Sequence, residues 1–181
     1  MTETAHHNKP ITIVSPTEVG IGESQVLVVS EIPLSPAARR IIEVTKNVEI
    51  TQCKVINNKV IINGILEKII CFLNMGALSP ISSKKPSHGG EQDQHMTNRV
   101  AHGDCKATLA QLPFALFIDV PGARPGDECL IEVAEVVGEK EEQLQVQPDG
   151  SFRVLLEKTV VRVVAKVVRV KQIPIRPEWP S

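Results

Sequence analysis

Apolar and polar residues alternate along much of the chain with the period of β-strands. Residues 25–32 read Gln-Val-Leu-Val-Val-Ser-Glu-Ile, which predicts a strand. Pro33 and Pro36 follow, and we expect them to interrupt it, because proline cannot donate a hydrogen bond to a ladder. Residues 10–14 are β-branched and short, which predicts an edge strand. Residues 37–42 are compatible with one helical turn or with extended chain.

The clearest local signal predicts a β-hairpin. Residues 44–56 and 59–73 are both rich in β-branched side chains, and Asn57-Asn58 between them tolerates the positive φ of a two-residue turn. Continuous pairing from that turn places Cys53 opposite Ile62 and Cys71 opposite Val44. The two cysteines are therefore not partners within the hairpin.

The second half of the chain predicts more strands joined by tight turns. The predicted strands are 112–120, 128–137 (with 139–146 continuing it after a break at Gly138) and 151–170. Pro-Gly pairs within 121–126 and Pro-Asp-Gly at 148–150 predict the turns. In the last strand, Lys158, Arg162 and Lys166 share one face, and an apolar set shares the other: Val161, Val163, Ala165 and Val167.

Together these elements predict an all-β domain, an antiparallel β-sandwich or open barrel, over residues 14–170. Residues 74–106 are rich in glycine, proline and serine, and we expect one long loop insertion there. Residues 1–13 are expected to form an N-terminal arm. Residues 171–181 contain three prolines, which predicts an extended C-terminal tail close to polyproline II.

Composition narrows the classes of function. The 181 residues carry a net charge of −1, so there is no general attraction to nucleic acid. Aromatic residues make up 3% of the chain, which argues against stacking platforms for single strands. No run approaches the ~20 apolar residues of a membrane span. Residues 1–7 lack the features of a signal peptide, so we expect synthesis in the cytoplasm without a leader.

Candidate catalytic and metal-binding residues are few. His88, His95 and His102 recur every seven residues near Cys105, but zinc sites use tighter paired spacing, and we predict neither a metal site nor a cofactor. No nucleophile motif or phosphate loop is present, which predicts a protein that is not an enzyme. Asp119 and Asp127 flank the proline-glycine turn, where aspartate ordinarily caps local amides.

The cysteines at 53, 71, 105 and 129 form no Cys-x-x-Cys pair, and their connectivity cannot be read from the sequence. With no signal peptide, buried side chains or free thiols are the default expectation. The alternative is cross-linking between subunits in an oxidising environment. Cys105 is predicted to be the most accessible thiol, and Cys53 and Cys71 to be inert if they face the core.

Four separated segments resemble the SPOCS domain, a family associated with sporulation and spore-envelope assembly in endospore-forming Firmicutes. They are 24–34, 42–51, 54–70 and 112–126, the last reading Leu-Pro-Phe-Ala-Leu-Phe-Ile-Asp-Val-Pro-Gly-Ala-Arg-Pro-Gly. The chain departs from the family in lacking an aromatic pair near Cys71 and in a longer connection over 77–97. The resemblance implies a protein–protein module of a spore envelope, here as a stand-alone unit, and it assigns no catalytic residues.

We therefore expect a structural or assembly protein that forms a filament or shell through strand edges and terminal arms, with itself or other spore-envelope proteins as partners. The expected location is the spore envelope or a surface appendage. The interface residues predicted from the arms are Ile11, Ile13, Val14, Ile173, Ile175 and Trp179. One alternative is a monomeric or dimeric adaptor for another envelope protein; another is a metal-binding protein that uses the 88–105 loop.

Overall fold

A computed structural model describes residues 11–75 and 103–175, which form six antiparallel strands. The strands are β1 (Ile11–Ala38), β2 (Arg40–Ile56), β3 (Lys59–Met75), β4 (Gly103–Asp119), β5 (Glu128–Leu144) and β6 (Phe152–Ile175). The predicted all-β class is confirmed. No helix among these residues is long and apolar enough to cross a membrane.

The six strands form two three-stranded sheets with the orders β1-β6-β5 and β2-β3-β4. The sheets do not close into a barrel, and they pack face to face as a β-sandwich. β1 lies beside β4 on one side of the sandwich, and β2 lies beside β5 on the other. The inward-facing residues alternate along the central strands, as the pattern predicts for β6: Val161, Val163, Ala165 and Val167 are fully buried.

Proline does not end the first strand. β1 continues through 33–36, with a register shift between Pro33 and Ala38 that accommodates the residues unable to join the ladder. Leu34 within this irregular segment is buried, so side-chain packing holds it against the core. Residues 37–42 are extended on both sides of a bend at Arg39, which excludes the helical turn. Gly138 likewise lies at a bulge within a continuous β5.

The predicted hairpin between β2 and β3 is confirmed, with Asn58 at a φ of 60° and Cys53 opposite Ile62. The predicted partner of Cys71 is wrong: Cys71 lies opposite Glu43. A bulge between Ile50 and Gln52 inserts one residue into β2 and shifts the pairs from Ile50–Gly64 to Glu43–Cys71 by one position.

The predicted boundaries of the loop and the tail also change. Residues 74–75 and 103–106 belong to β3 and β4, so only 76–102 of the predicted loop lies outside the described residues. Residues 171–175 pair with β1 as a strand, so the polyproline II prediction is wrong for them. Pairing with residues 11–15 supplies hydrogen bonds that an isolated proline-containing tail would lack.

A glycine in β3 allows the core to pack closely. Gly64 faces inward, and a Cβ built there would lie 2.4 Å from the Phe114 ring and 2.7 Å from the Glu49 carbonyl oxygen. The Phe114 ring therefore occupies the space that any other residue at position 64 would need.

Candidate interaction surfaces

The two ends of the described chain form a ribbon beyond the sandwich. β5 pairs with β6 only as far as Val168, whereas β1 and β6 continue for seven more pairs, from Thr17–Arg169 to Ile11–Ile175. We call residues 11–17 with 169–175 the terminal ribbon. It extends roughly 20 Å past the last three-stranded row. The predicted interface residues other than Trp179, which lies outside the described residues, are all in this ribbon.

One face of the terminal ribbon continues the interior face of the sandwich. Arg169 follows buried Val167 and reaches inward to Asp127, so the alternate residues Lys171, Ile173 and Ile175 lie on that inner face. Their cross-strand partners are Ser15, Ile13 and Ile11. The second sheet ends before this point, and the side chains of Ile13, Ile173 and Ile175 remain 40–41% exposed.

The outer face of the ribbon is also apolar in part, since Val14 is 65% exposed and Val170 is 60% exposed. A two-stranded ribbon with apolar residues on both faces has little burial to stabilise it alone. The geometry therefore brings five of the predicted interface residues together, but in one unit rather than as two separate arms.

A second apolar surface covers the outward face of β3 and β4. The pairing of these strands has no register shift, so outward residues form straight rows across them. We call this surface the β3–β4 stripe; its rows are Ile61–Phe117, Asn63–Ala115, Ile65–Pro113, Glu67–Gln111, Ile69–Leu109 and Cys71–Ala107. Phe117 is 67% exposed and Leu109 58%. Sequence analysis predicted strands over 59–73 and 112–120 but did not define this surface.

A cleft of about 300 Å³ lies where β1 approaches β4. Its walls are mostly apolar and come from residues 24–26 of β1, from Ile61, and from residues 115–117 of β4. The approach depends on Gly22, where a Cβ would lie 2.5 Å from the Asp119 carbonyl oxygen.

A buried ionic layer crosses the core, and sequence analysis missed it. Lys68 of β3 is fully buried; it forms an ion pair with Glu157 of β6, and its Nζ donates a 2.6 Å hydrogen bond to Thr159 Oγ1. Lys46 and Glu139 form a more exposed pair at the rim.

In this layer, Lys46 and Lys68 of one sheet face three glutamates of the other. These are Glu139, Glu157 and Glu141, which is the cross-strand neighbour of Glu157. Burial, with the positive charge of Lys46, lowers the pKa of Lys68 to about 8, while Glu139 and Glu141 act in the opposite direction. The layer separates two hydrophobic clusters, one on each side along the strands. The Lys68–Glu157 pair is shielded from solvent, whereas Glu139 and Glu141 lie at the exposed rim of the layer.

The cysteines divide into one bonded pair and two free thiols. Cys53 of β2 and Cys129 of β5 form a disulfide between the sheets, with their Cα atoms 6.2 Å apart. The default of free or simply buried cysteines is wrong for this pair, and the pair is not available for links between subunits. Cys71 is partly buried and Cys105 is exposed, which confirms Cys105 as the more accessible free thiol.

The aspartates near the proline-glycine turn have structural roles. Asp127 accepts a hydrogen bond from the Arg124 amide and two from the Arg169 guanidinium. These bonds from Arg169 hold the pKa of Asp127 below its usual value. Asp119 forms an exposed ion pair with Lys59 on the neighbouring strand. The prediction of local turn chemistry is confirmed for Asp127.

Of the four metal candidates predicted from the sequence, only Cys105 lies among the described residues. His88, His95 and His102 lie outside the described residues, and Cys105 is at the start of β4. Within residues 11–75 and 103–175, no group of three or more His, Cys, Asp or Glu side chains could hold a metal ion.

The comparisons with known proteins give one match. A family model described as SipL, SPOCS domain, matches residues 37–136. This range runs from the end of β1 to Val136 in the middle of β5, and it includes the whole of the β2-β3-β4 sheet. No curated protein and no solved structure matches the chain.

Proposed function

Because the chain belongs to the SipL, SPOCS-domain family, we propose that it is an assembly protein of the spore envelope that associates with copies of itself. The family implies a sporulation-related role in protein–protein interaction. We infer self-assembly, as the particular kind of interaction, from the exposed apolar surfaces of this chain. The proposal includes no catalysis and no cofactor.

The terminal ribbon is the observation that carries the proposal. Ile13, Ile173 and Ile175 extend the interior face of the sandwich into solvent, and a two-stranded ribbon gains stability when another sheet covers it. Exposed apolar patches of this kind are typical of protein interaction sites. The disulfide between Cys53 and Cys129 supports a place in an oxidising environment such as an envelope layer.

Size-exclusion chromatography with light scattering tests the proposal. The wild-type chain should increase in mass with concentration. Ile173→Asp places a charge in the apolar face of the ribbon and should raise the concentration needed for association about tenfold or more. Val146→Asp is the matched control, because Val146 is 58% exposed and lies near the turn at the opposite end of the sandwich.

A wild-type chain that remains a monomer at every concentration would contradict self-assembly. It would then favour the second candidate, an adaptor that binds another envelope protein. The cleft between β1 and β4 supports that alternative, since its apolar walls suit a partner's side chain or strand. Capture of a defined envelope protein by wild type, lost in Phe117→Asp, would establish the adaptor.

A further inference from the structure

We propose that the terminal ribbon of one copy packs on the β3–β4 stripe of the next copy, so that the chains join head to tail. This inference rests on the proposed self-association and specifies its two surfaces. The occupant of the stripe is a second copy of this chain.

The two surfaces have matching rows. On the inner face of the ribbon, Ile175 and the row Ile13–Ile173 are followed by the row Ser15–Lys171. On the stripe, the rows Cys71–Ala107 and Ile69–Leu109 are followed by Glu67–Gln111. Each surface is two strands wide, and successive rows on one face are about 7 Å apart in both. Ile13, Ile173 and Ile175 can therefore face the two apolar rows of the stripe, with the row Ser15–Lys171 aligned to the row Glu67–Gln111.

The third rows are complementary in charge. Lys171 makes no ion pair among the described residues, and it gives the row Ser15–Lys171 a positive charge. Glu67 accepts a hydrogen bond from Gln111 and likewise has no cationic partner in the described parts of the chain. Placing Lys171 against Glu67 satisfies both charges and fixes the position of the ribbon along the stripe.

Continuity of the sandwich gives the second argument. Ile13 and Ile173 lie on the face that, a few rows earlier, is covered by the apolar residues of the other sheet. Within the molecule, the earlier rows of this face pack against the apolar face of the other sheet, so an apolar sheet face of a second copy is a suitable cover for the ribbon. Because the ribbon and the stripe are different surfaces of one chain, the contact is heterologous and continues as an open polymer unless its rotation closes a ring.

A mixing experiment tests the head-to-tail arrangement. Ile173→Asp damages the ribbon and leaves the stripe intact, whereas Leu109→Asp does the reverse; both positions are exposed, so folding should be retained. Sedimentation velocity should show each variant as a monomer at concentrations where wild type associates. An equal mixture should form dimers that do not grow, because one intact ribbon meets one intact stripe.

A charge exchange provides the second arm. Lys171→Glu and Glu67→Lys should each raise the concentration for half-association about threefold or more, and the double variant should recover most of that loss. Retained disulfide formation and an unchanged circular dichroism spectrum would show that each variant folds.

The outcomes separate this inference from the proposed function. If wild type associates but the mixture gives no dimer, or if the single variants still polymerise, the ribbon–stripe contact is wrong. If wild type does not associate at all, the proposed function fails and the contact fails with it.

Discussion

Replacing Lys68 with methionine leaves Glu157 as an unpaired carboxylate in the middle of the sandwich. Lys68 is fully buried and Glu157 is 1% exposed, so water cannot take the place of the lost ion pair. Thr159 also loses its hydrogen bond from Lys68 Nζ. Breaking a buried pair in this way costs about 3–5 kcal/mol of the free energy of unfolding.

The double variant Lys68→Met/Glu157→Leu should behave differently. It removes both charges together and connects the hydrophobic clusters on the two sides of the layer. Replacement of a buried pair by apolar residues of similar volume is neutral or stabilising by about 1–4 kcal/mol. We therefore expect the double variant to be at least as stable as wild type.

Urea unfolding of dilute, oxidised protein, followed by circular dichroism, measures these differences. Lys46→Met is the matched control, because its partner Glu139 is 43% exposed and water can solvate the remaining charge. The control should cost about 0–1 kcal/mol. A cost below about 1 kcal/mol for Lys68→Met would refute the view that this pair is isolated from solvent.

Three further predictions concern stability. The pKa of Lys68 is lowered from 10.5 to about 8, so between these pH values the unfolded chain binds more protons than the folded chain. In this range the free energy of unfolding of wild type should rise with pH relative to that of the double variant, and parallel pH profiles for the two proteins would contradict this prediction. Cys53→Ser/Cys129→Ser should lower the free energy of unfolding by about 2–4 kcal/mol, and reductant should then have no further effect; a variant still weakened by reductant would contradict the pairing. Gly64→Ala should cost about 1–3 kcal/mol through overlap with the core, whereas Gly138→Ala, with its nearest neighbour 3.8 Å away, should change stability little; equal melting temperatures would refute the packing argument.

Local patterns were sufficient to predict the hairpin and the buried face of β6. In both, side-chain alternation and turn chemistry act over a few residues. The same alternation pointed to Lys68, which occupies an inward position of β3 between Leu66 and Ile70. A lysine at an inward position of a strand indicates a buried charge, and the alternation pattern alone was therefore sufficient to predict it.

Features that depend on packing between distant segments could not be predicted from the sequence. Cys53 and Cys129 are 76 residues apart, and only the stacking of β2 beside β5 brings them together. The bulge near Thr51 moved the partner of Cys71 by one residue, and no residue type in that segment marks it. The terminal ribbon arises from pairing between the two ends of the described chain, which the sequence had predicted as two separate arms.

Electron microscopy of the purified chain at increasing concentration tests the central claim most directly. Wild type should form extended polymers, and Ile173→Asp should give single small particles under the same conditions. Uniform small particles from wild type at every concentration, or unchanged polymers from Ile173→Asp, would contradict an assembly protein that joins through its terminal ribbon.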